Sequence, residues 1–242
     1  MKSSYGTGFR FPSIYELYFV DYANEQSIES VKAEKSRSFD IGFEKSFIDW
    51  GLNLDLSYFN LKYFDPLEAW KSNNAAGVGY TTQNSPGKIT SQGLEIFSKW
   101  KVNKFLNFDL NYTYTSTYDG AEQDDPDILA TTTNAQMVRV PRHFLNLGTK
   151  LLFLNKNLDL TLNTKWSDTM RDYGNANIPT DGSYADVRLD DFLVNDLSLN
   201  YLLMGNYKVF FDVKNIFDAT YNTALQYSQM DRSFNFGIKR VY

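Results

Sequence analysis

The sequence predicts an all-β fold, an antiparallel transmembrane β-barrel with about ten long strands. Three features of the chain predict it. Apolar and polar residues alternate with period two in run after run, the runs are long, and the connections are short at one end of the sheet and long at the other.

The alternation gives each run one apolar and one polar face, because successive strand side chains point to opposite sides. In chain order, Leu52, Leu54, Leu56 and Tyr58 interleave with Asn53, Asp55 and Ser57. Leu106, Phe108, Leu110, Tyr112 and Tyr114 interleave with Asn107, Asp109, Asn111 and Thr113. Leu158, Leu160, Leu162 and Trp166 face away from Asp159, Thr161, Asn163 and Lys165. Leu197, Leu199 and Tyr201 oppose Asp196, Ser198 and Asn200, and Tyr207, Val209, Phe211 and Val213 oppose Lys208, Asp212 and Lys214, with Phe210 breaking the polar side. Helical spacing fits none of these runs.

Strands are expected near residues 1–10, 36–46, 51–65, 79–100, 105–118, 138–153, 158–172, 188–203, 207–217 and 230–242. They run to roughly 10–20 residues, against about 5–6 in globular sheets. A tilted strand crosses the hydrocarbon layer in about 9–11 residues, so these reach across and beyond. Short turns are expected near 47–50, 101–104, 154–157 and 204–206, and long links near 11–35, 66–78, 119–137, 173–187 and 218–229. Outer-membrane barrels pair short periplasmic turns with long extracellular loops in this way. The first strand then runs outward, and the tenth returns Tyr242 to the periplasmic side. Tyr58, Tyr63, Phe64, Trp100, Trp166 and the stretch from Tyr112 to Tyr118 cluster where strands meet these ends, as interfacial girdles do.

Composition closes off other classes. The 242 residues are 43% apolar and 17% aromatic, with 17 Tyr and 19 Phe, too rich in aromatics for a disordered chain. Mean hydropathy is −0.42, and no apolar stretch approaches the roughly 20 residues of a membrane-spanning helix. A net charge of −5 argues against a nucleic-acid partner, which wants a basic face. The absence of Cys excludes a disulfide framework and a thiol nucleophile. Met1-Lys2 leads straight into strand-like sequence rather than a signal peptide.

Several stretches resemble the C-terminal half of TonB-dependent outer-membrane receptors, the cobalamin and siderophore transporters in particular. Ser4 to Ser13, followed by Tyr15-Glu16-Leu17-Tyr18, resembles the family's strand ending in a Gly-x-Gly/Ser-Phe-Lys/Arg-x-Pro turn. Lys32-Ala33-Glu34-Lys35-Ser36 resembles its Leu-x-Pro-Glu-x-Ser segment, with Ala33 in place of Pro. Thr81 to Phe97 resembles a long strand carrying an Asn and then Gly-x-Glu, here Gly93-Leu94-Glu95. Val140-Pro141-Arg142-His143 is similar to Arg-x-Pro-x-His, Asn215 to Tyr221 to Asn-Leu-Phe-Asp-x-x-Tyr, and Asp231 to Tyr242 to the final strand with its terminal aromatic.

The resemblance implies that residues 1–242 form the C-terminal portion of the receptor barrel, the last ten of 22 strands, with the plug domain and TonB-box absent. It implies outer-membrane lipid, the TonB-ExbB-ExbD system (through the missing N-terminal part) and the barrel-assembly machinery as partners, and a metal chelate or corrinoid as ligand. The function implied is active uptake of a scarce ligand such as a ferric siderophore or cobalamin, without enzymatic chemistry and without a cofactor. Phe234, Phe236, Ile238 and Tyr242 are implied to be the assembly signal. Ligand contacts are expected in the long loops and rim, where rigid aromatics and guanidinium groups suit a large, charged ligand: Tyr15, Tyr18, Tyr22, Trp70, Tyr80, Arg171, Tyr173 and Tyr184. Lys165, Lys208 and Lys214 are expected to line a polar interior.

No catalytic constellation or metal site emerges. His143 is the sole histidine and reads as structural; Glu122-Gln123-Asp124-Asp125-Pro126-Asp127 lacks the calcium-loop pattern and reads as solvated loop. Two alternatives remain open on sequence alone: a passive porin or adhesin barrel, and a soluble carbohydrate-binding β-sandwich, whose strands would be shorter.

Overall fold

The computed structural model describes residues 1–18, 31–72, 80–84, 87–119, 136–174 and 185–240. Ten long strands form one antiparallel sheet: β1 (Lys2–Arg10), β2 (Glu34–Phe47), β3 (Leu52–Phe64), β6 (Lys88–Lys101), β7 (Leu106–Asp119), β8 (His143–Phe153), β9 (Leu158–Ser167), β12 (Phe192–Leu203), β13 (Tyr207–Lys214) and β16 (Ser233–Arg240). They lie in the order β1-β2-β3-β6-β7-β8-β9-β12-β13-β16, and β1 and β16 are open edges. A short helix, α1 (Ile14–Tyr18), follows β1. Three small hairpins stand apart: β4 (Leu67–Ser72) with β5 (Tyr80–Asn84), β10 (Met170–Gly174) with β11 (Ala185–Leu189), and β14 (Asn222–Ala224) with β15 (Tyr227–Ser228).

Register sorts the side chains by face, since directly opposed residues share one side. One rung reads Ile41–Tyr58–Leu94–Tyr114–His143, and another Phe43–Leu56–Ile96–Tyr112–Leu145–Trp166–Leu193. The other face carries rungs such as Ser38–Leu61–Ser91–Thr117 and Glu44–Asp55–Phe97–Asn111–Asn146–Lys165–Val194. Lys165, Lys208 and Lys214 all lie on this polar face. The apolar face is bare. Phe43 is 48% exposed, Leu94 51% and Phe236 79%. Leu54, Leu110, Leu160 and Val209 are half-buried on one side of a single layer, so a sandwich core is excluded.

The short turns use left-handed backbone. Met204 and Gly205 both have positive φ (51° and 74°) between β12 and β13, the type I′ geometry that matches strand twist. Gly51, at φ 60°, closes the turn after Ile48–Trp50, and a Cβ there would meet Lys101 O at 2.5 Å. Aromatics belt this end: Phe47 stacks on Trp50 at 5.5 Å, and the Trp100 indole donates to Trp50 O at 3.1 Å.

Three expected strands are broken near the long-loop end. The span 79–100 divides into β5, which ends at Asn84 and pairs with β4, and β6, which starts at Lys88. The span 158–172 divides at Asp168-Thr169, where Asp168 Oδ1 takes the Thr169 N–H (2.8 Å) and the Asp168 N–H goes to His143 O (2.9 Å). This local side-chain bond competes with the ladder. The facing span 188–203 divides at Asp190-Asp191 into β11 and β12. The strand expected from 138 starts at His143, since Arg139 sits at φ 60° and Pro141 follows. The strand expected over 207–217 stops at Lys214, before Asn215 at φ 51°.

Candidate functional site

The polar face and the long-loop end together form the candidate site. Two groups of side chains fix the loops there. On the β1 side, Arg10 pairs with Glu34 and reaches both Glu16 carboxylate oxygens at 2.9 and 3.1 Å. Ser13 and Glu16 cap α1 reciprocally: the Ser13 N–H donates to Glu16 Oε2 (2.6 Å), and the Glu16 N–H to Ser13 Oγ (3.2 Å). This is a capping box. The Ser13 N–H, foremost, holds the Glu16 carboxyl below its ordinary range. Burial pushes Glu34 up, but bonds from Arg10 and the Leu67 N–H (2.7 Å) outweigh it and leave that carboxyl low. Asn84 ties Lys32 and Asp65 together through its amide, accepting the Lys32 N–H at 2.7 Å and donating to Asp65 O at 2.8 Å.

On the other side, Asp172 is fully buried and binds across three chain segments. Its carboxylate accepts from Arg139 Nε (2.8 Å) and the Leu225 N–H (2.6 Å). Arg171 donates to Gln136 O (2.7 Å), and Gln136 in turn accepts the Thr117 N–H (3.0 Å). Beneath them lies a buried apolar cluster of Met170, Leu189, Phe192 and Val194, covered by Tyr221 and Leu225. Phe192 and Val194 belong to the polar face, so these loops fold over the inner wall. Phe192 packs on Tyr221 at 4.6 Å. Burial first, and the Asp196 carboxylate second, hold the Tyr221 phenol above its ordinary range. Lys165 lies 5.5 Å from both the Phe144 and Phe192 rings. Asn215 closes the last loop, exchanging bonds with Ala219 (2.9 Å each way), while its N–H reaches Asp196 Oδ1 (2.9 Å).

The expected ligand residues are distributed over this end. Tyr15 and Tyr18 fall in α1, Trp70 at a register shift in β4, Tyr80 in β5, and Arg171 and Tyr173 in β10. Tyr22 and Tyr184 lie outside the described residues, as do the acidic stretch 122–127 and Tyr242. The Arg171 guanidinium is engaged with the Gln136 backbone. Phe234, Phe236 and Ile238 share the apolar face of β16, each at least 62% exposed. His143 also faces outward. Its Nδ1 shares a 2.7 Å hydrogen bond with Tyr112 Oη, and its ring lies among Tyr112, Tyr114 and Trp166. Residues of the short motifs brace the loops: Glu34, Asn84, Asn215 and Asp218 each bond a loop backbone, and Arg10 ties the Glu16 and Glu34 carboxylates together. Asp172 and Gln136 had no sequence signal.

Comparison with known proteins agrees with this architecture. The family described as TonB dependent receptor-like, beta-barrel, matches residues 2–216. The pyoverdine outer membrane receptor FpvA from Pseudomonas aeruginosa PAO1, bound to pyoverdine, superposes with a TM-score of 0.74 at 17% identity over 99% of this chain and 33% of its own. The ferric-catecholate import receptor Fiu from K12 E. coli gives 0.71 at 16% identity over 98% and 32%, and the copper transporter OprC 0.68 at 14% over 98% and 36%. At such identities these likenesses speak for the fold alone. The chain spans about a third of the length of these structures. No curated protein matches the sequence. A two-faced antiparallel sheet with one trimmed and one elaborated end, matched by the family description over nearly its whole length, places the chain in the TonB-dependent receptor β-barrel family of the Gram-negative outer membrane.

Proposed function

We propose that residues 1–242 are the C-terminal portion of an active-transport receptor, supplying the last ten of 22 barrel strands and the outer loops. The receptor captures a ferric chelate, with cobalamin as the competing ligand, and TonB-transmitted energy releases it through a plug domain carried elsewhere. The observation that carries this reading is the folding of braced loops over a polar wall, in a chain of this family. The ligand class is favoured by the ferripyoverdine and ferric-catecholate receptors among its structural neighbours. The barrel wall contributes capture and passage, and no bond is made or broken.

Uptake of labelled ferric chelates and of cobalamin by cells carrying the complete receptor tests the proposal. Ferric-chelate uptake that stops when the proton gradient is collapsed is expected; uptake that survives the collapse would establish a passive porin instead. Within the same assay Tyr18→Ala should weaken chelate binding about tenfold or more, a loss of roughly 1.4 kcal/mol. Wild-type affinity would remove Tyr18 from the site. Phe234, Phe236, Ile238 and Tyr242 are proposed to form the assembly signal, so deleting Tyr242 should lower membrane insertion of the complete protein, read as loss of heat-modifiable receptor in outer-membrane fractions.

A further inference from the structure

Above the apolar band, the outward face carries a group of cations with no ion pair among the described residues. In the β2–β3–β6 register, Arg37 stands directly opposite Lys62, and Lys35 and Lys88 both stand opposite Phe64. All four cations are on the same side as Phe39, Ile41, Tyr58 and Leu94, the side that meets lipid. Like charges facing each other across a strand pair are destabilising. No carboxylate lies on this face of β1, β2, β3 or β6, and none of the four cations has an ion pair among the described residues. The polar face of the same strands behaves differently. There Lys2 meets Asp55 at 2.7 Å, and Arg10 is paired with Glu34 and Glu16. On β1, then, both inward cations are neutralised, whereas the four outward ones of β2, β3 and β6 have no ion pair among the described residues.

Their height identifies what would neutralise them. Arg37 and Lys35 follow Phe39 towards the long-loop end, Lys62 follows Tyr58, and Lys88 follows Leu94. At a rise of ~3.3 Å per residue and a tilt near 45°, they stand about 5–15 Å beyond the apolar band. The headgroup layer is about 5–8 Å deep on each side of the hydrocarbon, so Arg37 stands within it and Lys35, Lys62 and Lys88 at and just beyond its outer edge. Aromatics alternate with the cations there: Phe9, Lys35, Phe64 and Lys88 form one rung, and the Arg37 guanidinium sits 5.1 Å from the Phe64 ring. Phe9 is 69% exposed. An amphipathic ring beside a cation suits a surface where acyl chains give way to charged headgroups.

We propose that Lys35, Arg37, Lys62 and Lys88 form a docking patch for a phosphorylated glycolipid of the outer leaflet. Arg37 holds a phosphate through its planar fork, Lys62 faces the same phosphate from β3, and Lys35 and Lys88 take the second anionic group. The patch rests on the outer-membrane barrel assignment and is independent of which ligand the receptor imports.

Native mass spectrometry of the complete receptor in mild detergent, offered bisphosphorylated lipid A, its dephosphorylated form or inorganic phosphate, tests the patch. The wild type should retain the bisphosphorylated lipid. Arg37→Ser combined with Lys62→Ser should cut retention at least tenfold, and Lys35→Ser combined with Lys88→Ser should cut it less. Lys208→Ser, on the inner face, should leave it unchanged. Equal retention by Arg37→Ser/Lys62→Ser, equal retention of the dephosphorylated lipid, or retention of inorganic phosphate without lipid would each overturn the proposal. Heat-modifiable migration, measured on the same samples, reads the barrel separately: unchanged retention with migration intact faults the patch alone, whereas a wild type without migration faults the barrel assignment.

Discussion

Asp172 shows how much can rest on one carboxylate. It is fully buried, and its two oxygens answer a guanidinium from one loop and a backbone N–H from another. Arg139 is itself 54% exposed in its side chain, so solvent screens that pairing and the part-buried Leu225 bond matters as much. Asp172→Ala should cost about 1–3 kcal/mol of local stability, the usual range for leaving buried donors without an acceptor. The expected signature is faster amide hydrogen exchange at Leu225 and quicker proteolysis across the outer loops, with the ten-stranded sheet unaffected. Unchanged exchange at Leu225 would show that the loops are held by the Phe192–Tyr221 packing instead. Nothing in Met170-Arg171-Asp172-Tyr173 marks the Asp beforehand, because burial there is created by a loop 53 residues further along the chain and not by the strand's own period.

At the scale of elements, α1 is a five-residue helix that depends on its cap. Glu16 and Glu34 both have lowered carboxyl pKa values. A carboxyl lowered on folding contributes stability above its ordinary pKa and loses that contribution as pH falls through the folded value. The Arg10–Glu16–Glu34 group should therefore hold from neutral pH down to the ordinary carboxylate range near ~4.5, then release below it. Exchange of the Leu17 N–H, which bonds Ser13 O at 3.0 Å, should accelerate in that acid window and stay slow above it. Element boundaries also show what was legible in the sequence. The ten long strands and the alternation of short and long connections were legible in the sequence, five of the strands through a continuous period-two run and the rest through run length and turn composition. The strand breaks after Asn84, at Asp168-Thr169 and at Asp190-Asp191 were not; at Asp168 a side-chain bond to the Thr169 N–H ends the ladder. The site was less legible than the fold. Arg171, taken from sequence for a ligand contact, holds the Gln136 backbone.

For the molecule as a whole, the open edges of β1 and β16 set the requirement for closure. Each carries a row of backbone N–H and C=O groups facing outward, and in hydrocarbon every such group left unpaired costs several kcal/mol. The proposal that further strands complete the cylinder predicts that residues 1–242 produced alone will self-associate through these edges. Light scattering in detergent and the absence of a heat-modifiable monomer would show it. A monodisperse, heat-modifiable monomer would mean that ten strands close on themselves.

Each strand of the large sheet bonds to the next long strand along the chain, so the sheet is a simple meander from β1 to β16. Short sequence separation between bonded partners keeps the loop-closure entropy small. Such a wall can be laid down hairpin by hairpin, each finished pair offering one new template to its successor. The order of synthesis and the order of neighbours in space are then the same list, and no segment has to wait for a distant one before it can be satisfied.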